Sequence, residues 1–117
     1  MEDSRFAALP EPPYYAVIFS SVQQPRDPAY DAMAARMVEL ARSQSGFLGI
    51  ESCRDADGFG ITVSYWRGAD DIARWKADAE HAQAQALGHA RWYPAFELRV
   101  AKVERAYGKP RAARIDA

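Results

Sequence analysis

Apolar residues alternate with polar ones in some stretches of the chain and recur every three or four positions in others. The switches between these two periods mark out six elements. "YYAVIFSSV" (Tyr14–Val22) is β-branched and aromatic and has the length of one strand. Both faces are apolar, Tyr15/Val17/Phe19 on one and Tyr14/Ala16/Ile18 on the other, so it is expected to be covered on both sides. Asp27 followed by Pro28 predicts a helix start, an acidic cap with proline at the first helical position. Tyr30, Met33, Ala34, Met37, Leu40 and Ala41 then give Pro28–Ser43 one apolar face, and Gly46 ends it.

"FLGIESCR" (Phe47–Arg54) and "FGITVSYW" (Phe59–Trp66) read as two strands of a hairpin. The "DADG" between them supplies a tight turn, with Gly58 suited to a positive φ. A second helical region follows, with Ile72, Trp75 and Ala79 on one stripe and Ala82, Ala86 and Leu87 further on. Asp78 is placed to cap a fresh helix, which predicts a kink near Ala77–Asp78. Gly88 marks an end or a bend, and Pro94 keeps the helix from continuing. "AFELRVAKVER" (Ala95–Arg105) returns to period two, with Phe96, Leu98 and Val100 on one face.

The order β-α-β-β-α-β predicts an α+β, ferredoxin-like fold, two helices on one face of a four-stranded antiparallel sheet. Residues 1–13, with Pro10, Pro12 and Pro13, form an extended lead-in; 14–107 form the domain; 108–117 are a basic, solvated tail. Helices on one side alone would leave several large side chains of the first strand bare. Each such side chain is worth roughly 1.5–3 kcal/mol when buried, which predicts a homodimer joined through its sheet faces. The alternative is a monomer whose termini fold over the open face.

Composition narrows the partners. The 117 residues are 49% hydrophobic and 26% charged, enough for one ordinary core. A net charge of −1, with arginines interleaved among acids, lacks the basic stripe of a nucleic-acid binder. Only Arg105, Lys109, Arg111 and Arg114 break that mixture. Cys53 stands alone, so no intramolecular disulfide forms, and it is expected as a buried, inert thiol. No apolar run approaches the roughly 18–20 residues of a membrane span, and "MEDSRFAALPEPP" has no apolar signal core. A cytoplasmic protein is expected, with neither membrane nor nucleic acid as partner. Phosphate loops, metal-ligand spacings and a nucleophile elbow are all missing from the letters, so no metal is expected.

The remaining chemistry gathers in "ITVSYWRGADDIARWKADAEH". Trp75 shares a stripe with Ile72 and Ala79 and points toward the sheet, as core filling, as a wall for a flat ligand, or as both. Trp66 lies with Thr62 and Ser64 on one strand face, opposite Ile61, Val63 and Tyr65; which face meets the helices stays open. His81, near the first turn of a helix capped by Asp78, is the candidate base, and a helix N-terminus would favour its neutral form. Its alternative is a surface histidine, and His89 is a weaker candidate still. Arg67 and Arg74 are candidate stabilisers of a phenolate or reduced oxygen, or else solvated charges beside Asp70 and Asp71. Tyr65 and Tyr93 are candidate donors to a ligand, and Phe19 a candidate lining residue.

"YYAVIFSS", "MVELARSQSGFLGIESCRDADGFGITVSYW", "RWKADAEH" and "ARWY" together resemble the antibiotic biosynthesis monooxygenase family, whose members are dimeric α/β barrels. The resemblance runs from about Tyr14 to Tyr107, with Gly46–Phe47, Tyr65–Trp66 and Trp75 as its clearest marks. It implies oxidation of a small aromatic or quinol-like compound by molecular oxygen without a metal or flavin, so no cofactor is expected. In that chemistry the deprotonated substrate itself hands an electron to oxygen. The wider superfamily also holds haem-degrading enzymes, isomerases and proteins without a known activity. A non-catalytic barrel that binds a small hydrophobic molecule or serves a stress response is therefore the alternative. For haem degradation the resemblance implies an asparagine on the first strand, a tryptophan, and a histidine ten residues later. Trp75 matches the tryptophan, Gln85 stands where the histidine would be, and the chain has no asparagine.

Overall fold

The computed structural model describes residues 5–22, 28–86 and 95–109. Its elements are β1 (Tyr14–Val22), α1 (Pro28–Arg42), β2 (Phe47–Arg54), β3 (Phe59–Trp66), α2 (Ala69–Ala86) and β4 (Ala95–Val103). The four strands form one antiparallel sheet in the order β2-β3-β1-β4, the expected ferredoxin-like arrangement. Proline opens α1, as expected of a residue with its φ preset and no amide hydrogen to satisfy; the proposed Asp27 cap lies outside the described residues. The hairpin turn is closed by the Asp55 carboxylate, which accepts the amides of Asp57 (2.9 Å) and Phe59 (3.0 Å), while Gly58 takes φ 94°.

Register assigns the two faces of the sheet. Tyr15, Val17 and Phe19 of β1 stand opposite Trp66, Ser64 and Thr62 of β3, and opposite Lys102, Val100 and Leu98 of β4. The core joins Val17 and Trp66 to Ala41 of α1 and Ile72 of α2, with Tyr15, Phe47, Trp75 and Leu98 packed around them. This is therefore the helix side. The face that carries the hydroxyls, rather than the one lined by Ile61 and Val63, meets the helices.

Two hydroxyls of that face are accounted for inside the protein. Ser64 is buried and accepts the Nε1–H of Trp66 at 2.8 Å. Ser21 is buried and accepts an Nη2–H of Arg54 at 2.9 Å. Hydrogen bonds like these remove the cost of burying a polar group.

The expected kink near Ala77–Asp78 is corrected: α2 is one helix from Ala69 to Ala86. Asp78 caps nothing, because its carboxylate accepts the side-chain amide of Gln44 at 3.0 Å, across to the α1–β2 loop. The alanines around it are strong helix formers and let the helix run through. Cys53 is corrected too. It is exposed, because β2 is an edge strand and Cys53, paired with Ile61, faces away from the helices. The last strand ends at Val103, two residues short of the expected Arg105.

The face away from the helices is covered over half its length. Ala7 and Leu9 of the lead-in lie on Gly49, where a β-carbon would come within 2.9 Å of the Ala7 side chain. The Ala7 amide donates to Glu51 Oε2 at 2.9 Å, and Tyr14 and Ala16 are buried at this end of the sheet. The other end is open, with Phe59 45% and Ile61 41% exposed. One terminus thus does fold over the open face, but leaves much of it bare.

Candidate functional site

The helix side of the sheet becomes a site where the helices stop covering it. Trp66 is fully buried, and its ring meets Phe47 edge-on at 5.5 Å and Trp75, tilted, at 5.5 Å. Toward β4 the same face continues through Leu98 to Phe19 and Phe96, whose rings stand 5.5 Å apart. Phe96 is 58% and Val100 51% exposed, although both lie on the helix side. The result is an aromatic shelf, closed at Trp66 and Trp75 and open along the outer strand. Flat apolar ligands suit such a surface.

One polar atom in this region is unsatisfied. The Nε1–H of Trp75 is buried and has no hydrogen-bond acceptor among the described residues. Leaving such a donor unpaired costs about 1–3 kcal/mol, so it marks a place where an acceptor is wanted. The neighbouring Trp66 shows the contrast, its own N–H being taken by Ser64.

The sequence candidates separate in space. Trp66 and Trp75 come together on the helix side, and Phe19 shares that face four residues along β1 from Tyr15, the register partner of Trp66. Tyr65 goes to the opposite face, where it donates to Glu51 Oε1 at 2.7 Å and meets Tyr14 edge-on at 5.8 Å. Arg74 is exposed and held by an ion pair with Asp71, and Arg67 is exposed. Asp71 in turn sits so close over Gly46 that any β-carbon there would collide with its carboxyl group. His81 lies inside the continuous α2, so no helix N-terminus is beside it. Six residues beyond Trp75, its Cα falls about 120° around the helix axis, and its side chain lies outside the described residues. Tyr93 and His89 also lie outside them. Phe96, Leu98 and Val100 were legible as one strand face but not as part of the site. The signal that could have found them is the fold itself, which puts the last strand at a sheet edge.

Burial, the hydrogen bond to Glu51 and the charge of Glu51 hold the Tyr65 phenol well above the ordinary tyrosine range. A raised value favours the protonated form in the fold. Its contribution to stability is present below the ordinary value of ~10 and is lost as pH rises through the folded value. In a near-ultraviolet titration one tyrosine should therefore fail to ionise with the others and appear only as the protein unfolds in alkali. Tyr65→Phe should abolish that lagging step.

Among the described residues no group of histidine, cysteine, aspartate or glutamate side chains is gathered to hold a metal, and no helix is long and apolar enough to cross a membrane.

Comparison with known proteins adds a family. The pattern of the antibiotic biosynthesis monooxygenase family matches residues 13–87. The uncharacterized protein YqjZ of Bacillus subtilis (strain 168) is 56% identical over 96 residues, 82% of this chain and 84% of that protein. The crystal structure of SnoaB, a cofactor-independent oxygenase from Streptomyces nogalater, shares the fold with a TM-score of 0.64 at 14% identity, over 84% of this chain and 100% of that one. PA3566 from Pseudomonas aeruginosa does so with a TM-score of 0.62 at 15% identity, over 83% and 98%.

Proposed function

The chain belongs to the antibiotic biosynthesis monooxygenase family, and on that footing we propose that it oxidises a small electron-rich aromatic, a phenol or hydroquinone, with molecular oxygen and no cofactor. The observation that carries this reading is the buried Nε1–H of Trp75, which has no acceptor among the described residues and belongs to a ring packed against Trp66. A phenolate oxygen is the acceptor that donor lacks. A hydrogen bond to an ion is about twice as strong as one to a neutral group, so the site favours the deprotonated substrate. The flat ring then lies along Phe19, Leu98 and Phe96.

The chain's part in the reaction is binding, orientation and stabilisation of the anion. The anion gives one electron to oxygen, and the radical pair joins to form a carbon-bound peroxide. Loss of water then leaves a carbonyl. Counted from the neutral phenol, the hydroxyl and one ring carbon each lose a hydrogen, that carbon gains one oxygen atom, and the second oxygen leaves as water. His81 is the proposed proton acceptor. Stabilisation of the anion falls to Trp75 rather than to Arg74, whose charge is taken up by Asp71.

We also propose that two copies pair through the face away from the helices, where Phe59 and Ile61 remain exposed.

An oxygen electrode with a panel of hydroquinones and anthrones tests the activity. Uptake should exceed the spontaneous rate for at least one compound, with one oxygen consumed per product. Tight binding across the panel with no enzyme-dependent uptake would leave a ligand-binding barrel instead.

A further inference from the structure

Strand β4 stands last in the sheet, with β1 along one side and, among the described residues, no strand along the other. An edge of this kind is a template for a further strand, and proteins blunt it with bulges, prolines or charges. β4 keeps an unbroken register with β1 from Ala95 to Val103 and has no proline, so Glu97, Arg99 and Lys102 are its only protection. Alternation puts Phe96, Leu98 and Val100 on the helix side and Glu97 and Arg99 on the other. Phe96 and Val100 are more than half exposed. Glu97 and Arg99 form an exposed ion pair at 3.7 Å.

The spacing of these residues is self-complementary. Two identical strands that meet edge to edge and antiparallel are related by a two-fold axis perpendicular to the sheet, passing beside one residue. With the axis at Leu98, Glu97 of each copy stands opposite Arg99 of the other, Phe96 opposite Val100, and Ala95 opposite Ala101, while Leu98 meets itself. Both charge pairs attract, every apolar residue meets an apolar one, and Lys102 falls beyond the paired stretch. Other positions of the axis fail. One residue on, Arg99 meets itself and Phe96 meets Lys102; two on, Leu98 meets Lys102. One residue back, Glu97 meets itself; two back, only Ala95 to Glu97 remain in the pairing. Like charges directly opposite destabilise a strand pair, so a single register stands out.

We propose that a second copy of this chain docks on β4, strand to strand and antiparallel, with the two-fold axis at Leu98. The occupant is a second copy because the order of apolar and charged residues along β4 is complementary to its own reverse. The same axis keeps the helix sides of both copies on one side of the joined sheet. The outer strand is the open side of the aromatic shelf, so each copy lends Phe96 and Val100 to the shelf of the other, one strand spacing of about 4.8 Å away. What the joined strip binds rests on the reading of the shelf given above. The pairing itself does not, and it uses a different surface from the face that carries Phe59 and Ile61.

Sedimentation equilibrium of charge variants tests it. Glu97→Arg and Arg99→Glu should each raise the dissociation constant of this contact about 10- to 100-fold, since each turns two attractive cross-strand pairs into repulsive ones. The double reversal, Glu97→Arg with Arg99→Glu, exchanges the signs and should restore the wild-type value. Circular dichroism should be the same for all three, as both side chains are exposed. A disulfide reads the register, in a Cys53→Ser background. Mixing a Glu97→Cys chain with an Arg99→Cys chain should give an inter-chain disulfide on oxidation that neither chain gives alone. Opposite residues have α-carbons about 4.5–5.5 Å apart, within the roughly 7 Å limit for a disulfide, and a two-residue offset exceeds it. A wild-type protein that stays monomeric would overturn this docking together with the face pairing. A wild-type assembly left unchanged by both single reversals, or not restored by the double reversal, would overturn the β4 docking alone. So would the absence of the mixed disulfide.

Discussion

Trp66→Ala should lower the free energy of unfolding by about 3–5 kcal/mol, the range for removing a large buried aromatic side chain. Trp66 is fully buried at the point where both helices meet the sheet, in contact with Val17, Ala41 and Ile72. Its loss opens a cavity that β1 and β3, tied by a full antiparallel register, cannot close. It also removes the edge-on contact with Phe47 and the tilted contact with Trp75. A third term comes from Ser64, buried beneath it and left without the indole N–H it now accepts. Trp66→Phe separates these terms. It keeps most of the ring contact while stranding Ser64, and should cost less than the alanine variant. Urea unfolding followed by circular dichroism reads both values.

Trp75→Phe should have the opposite profile. The donor it removes has no acceptor among the described residues, so folding gains nothing from it. The variant should therefore unfold within about 1 kcal/mol of wild type, the small loss of ring area set against relief from an unpaired buried N–H. Ligand affinity should fall about 10- to 100-fold, because a hydrogen bond to an anion is worth about 1.5–3 kcal/mol. Oxygen uptake should fall with it. A core tryptophan would behave differently, losing stability while leaving any activity proportionate to the folded fraction. Fluorescence titration and urea unfolding on the same variant distinguish the two.

Much of the fold was legible because period and turn chemistry agreed along most of the chain. The proline at the start of α1, the glycine of the "DADG" turn and the strict alternation of Phe96, Leu98 and Val100 each fix an element by local chemistry. What was not legible depends on contacts between elements. Asp78 has the chemistry of a cap, and only the position of Gln44 shows it reaching across to a loop. Thr62 and Ser64 leave open in the sequence which face of β3 meets the helices, and Ser64 is buried with its oxygen taken by the Trp66 N–H. Tyr65 has the look of a donor to a ligand, but Glu51 takes its hydroxyl on the far side of the sheet. The proline-rich lead-in shows no period at all, and its place is set by Gly49 and Glu51.

The same distinction governs the site. Trp75 was identifiable from its helical stripe, but the feature that makes it chemically interesting is an N–H with no acceptor among the described residues, which depends on every neighbour at once. His81 was placed beside a helix start that does not exist. The chemistry proposed here consequently rests on the tryptophan and its shelf, with the histidine as a separate question.

The most direct measurement is a spectrophotometric titration, under strict exclusion of oxygen, of a phenolic ligand bound to the protein. If the Trp75 N–H selects the anion, the bound phenol should ionise at lower pH than the free one, and Trp75→Phe should return it toward the free value. A bound phenol that ionises at the same or a higher pH in the wild-type protein would contradict the account.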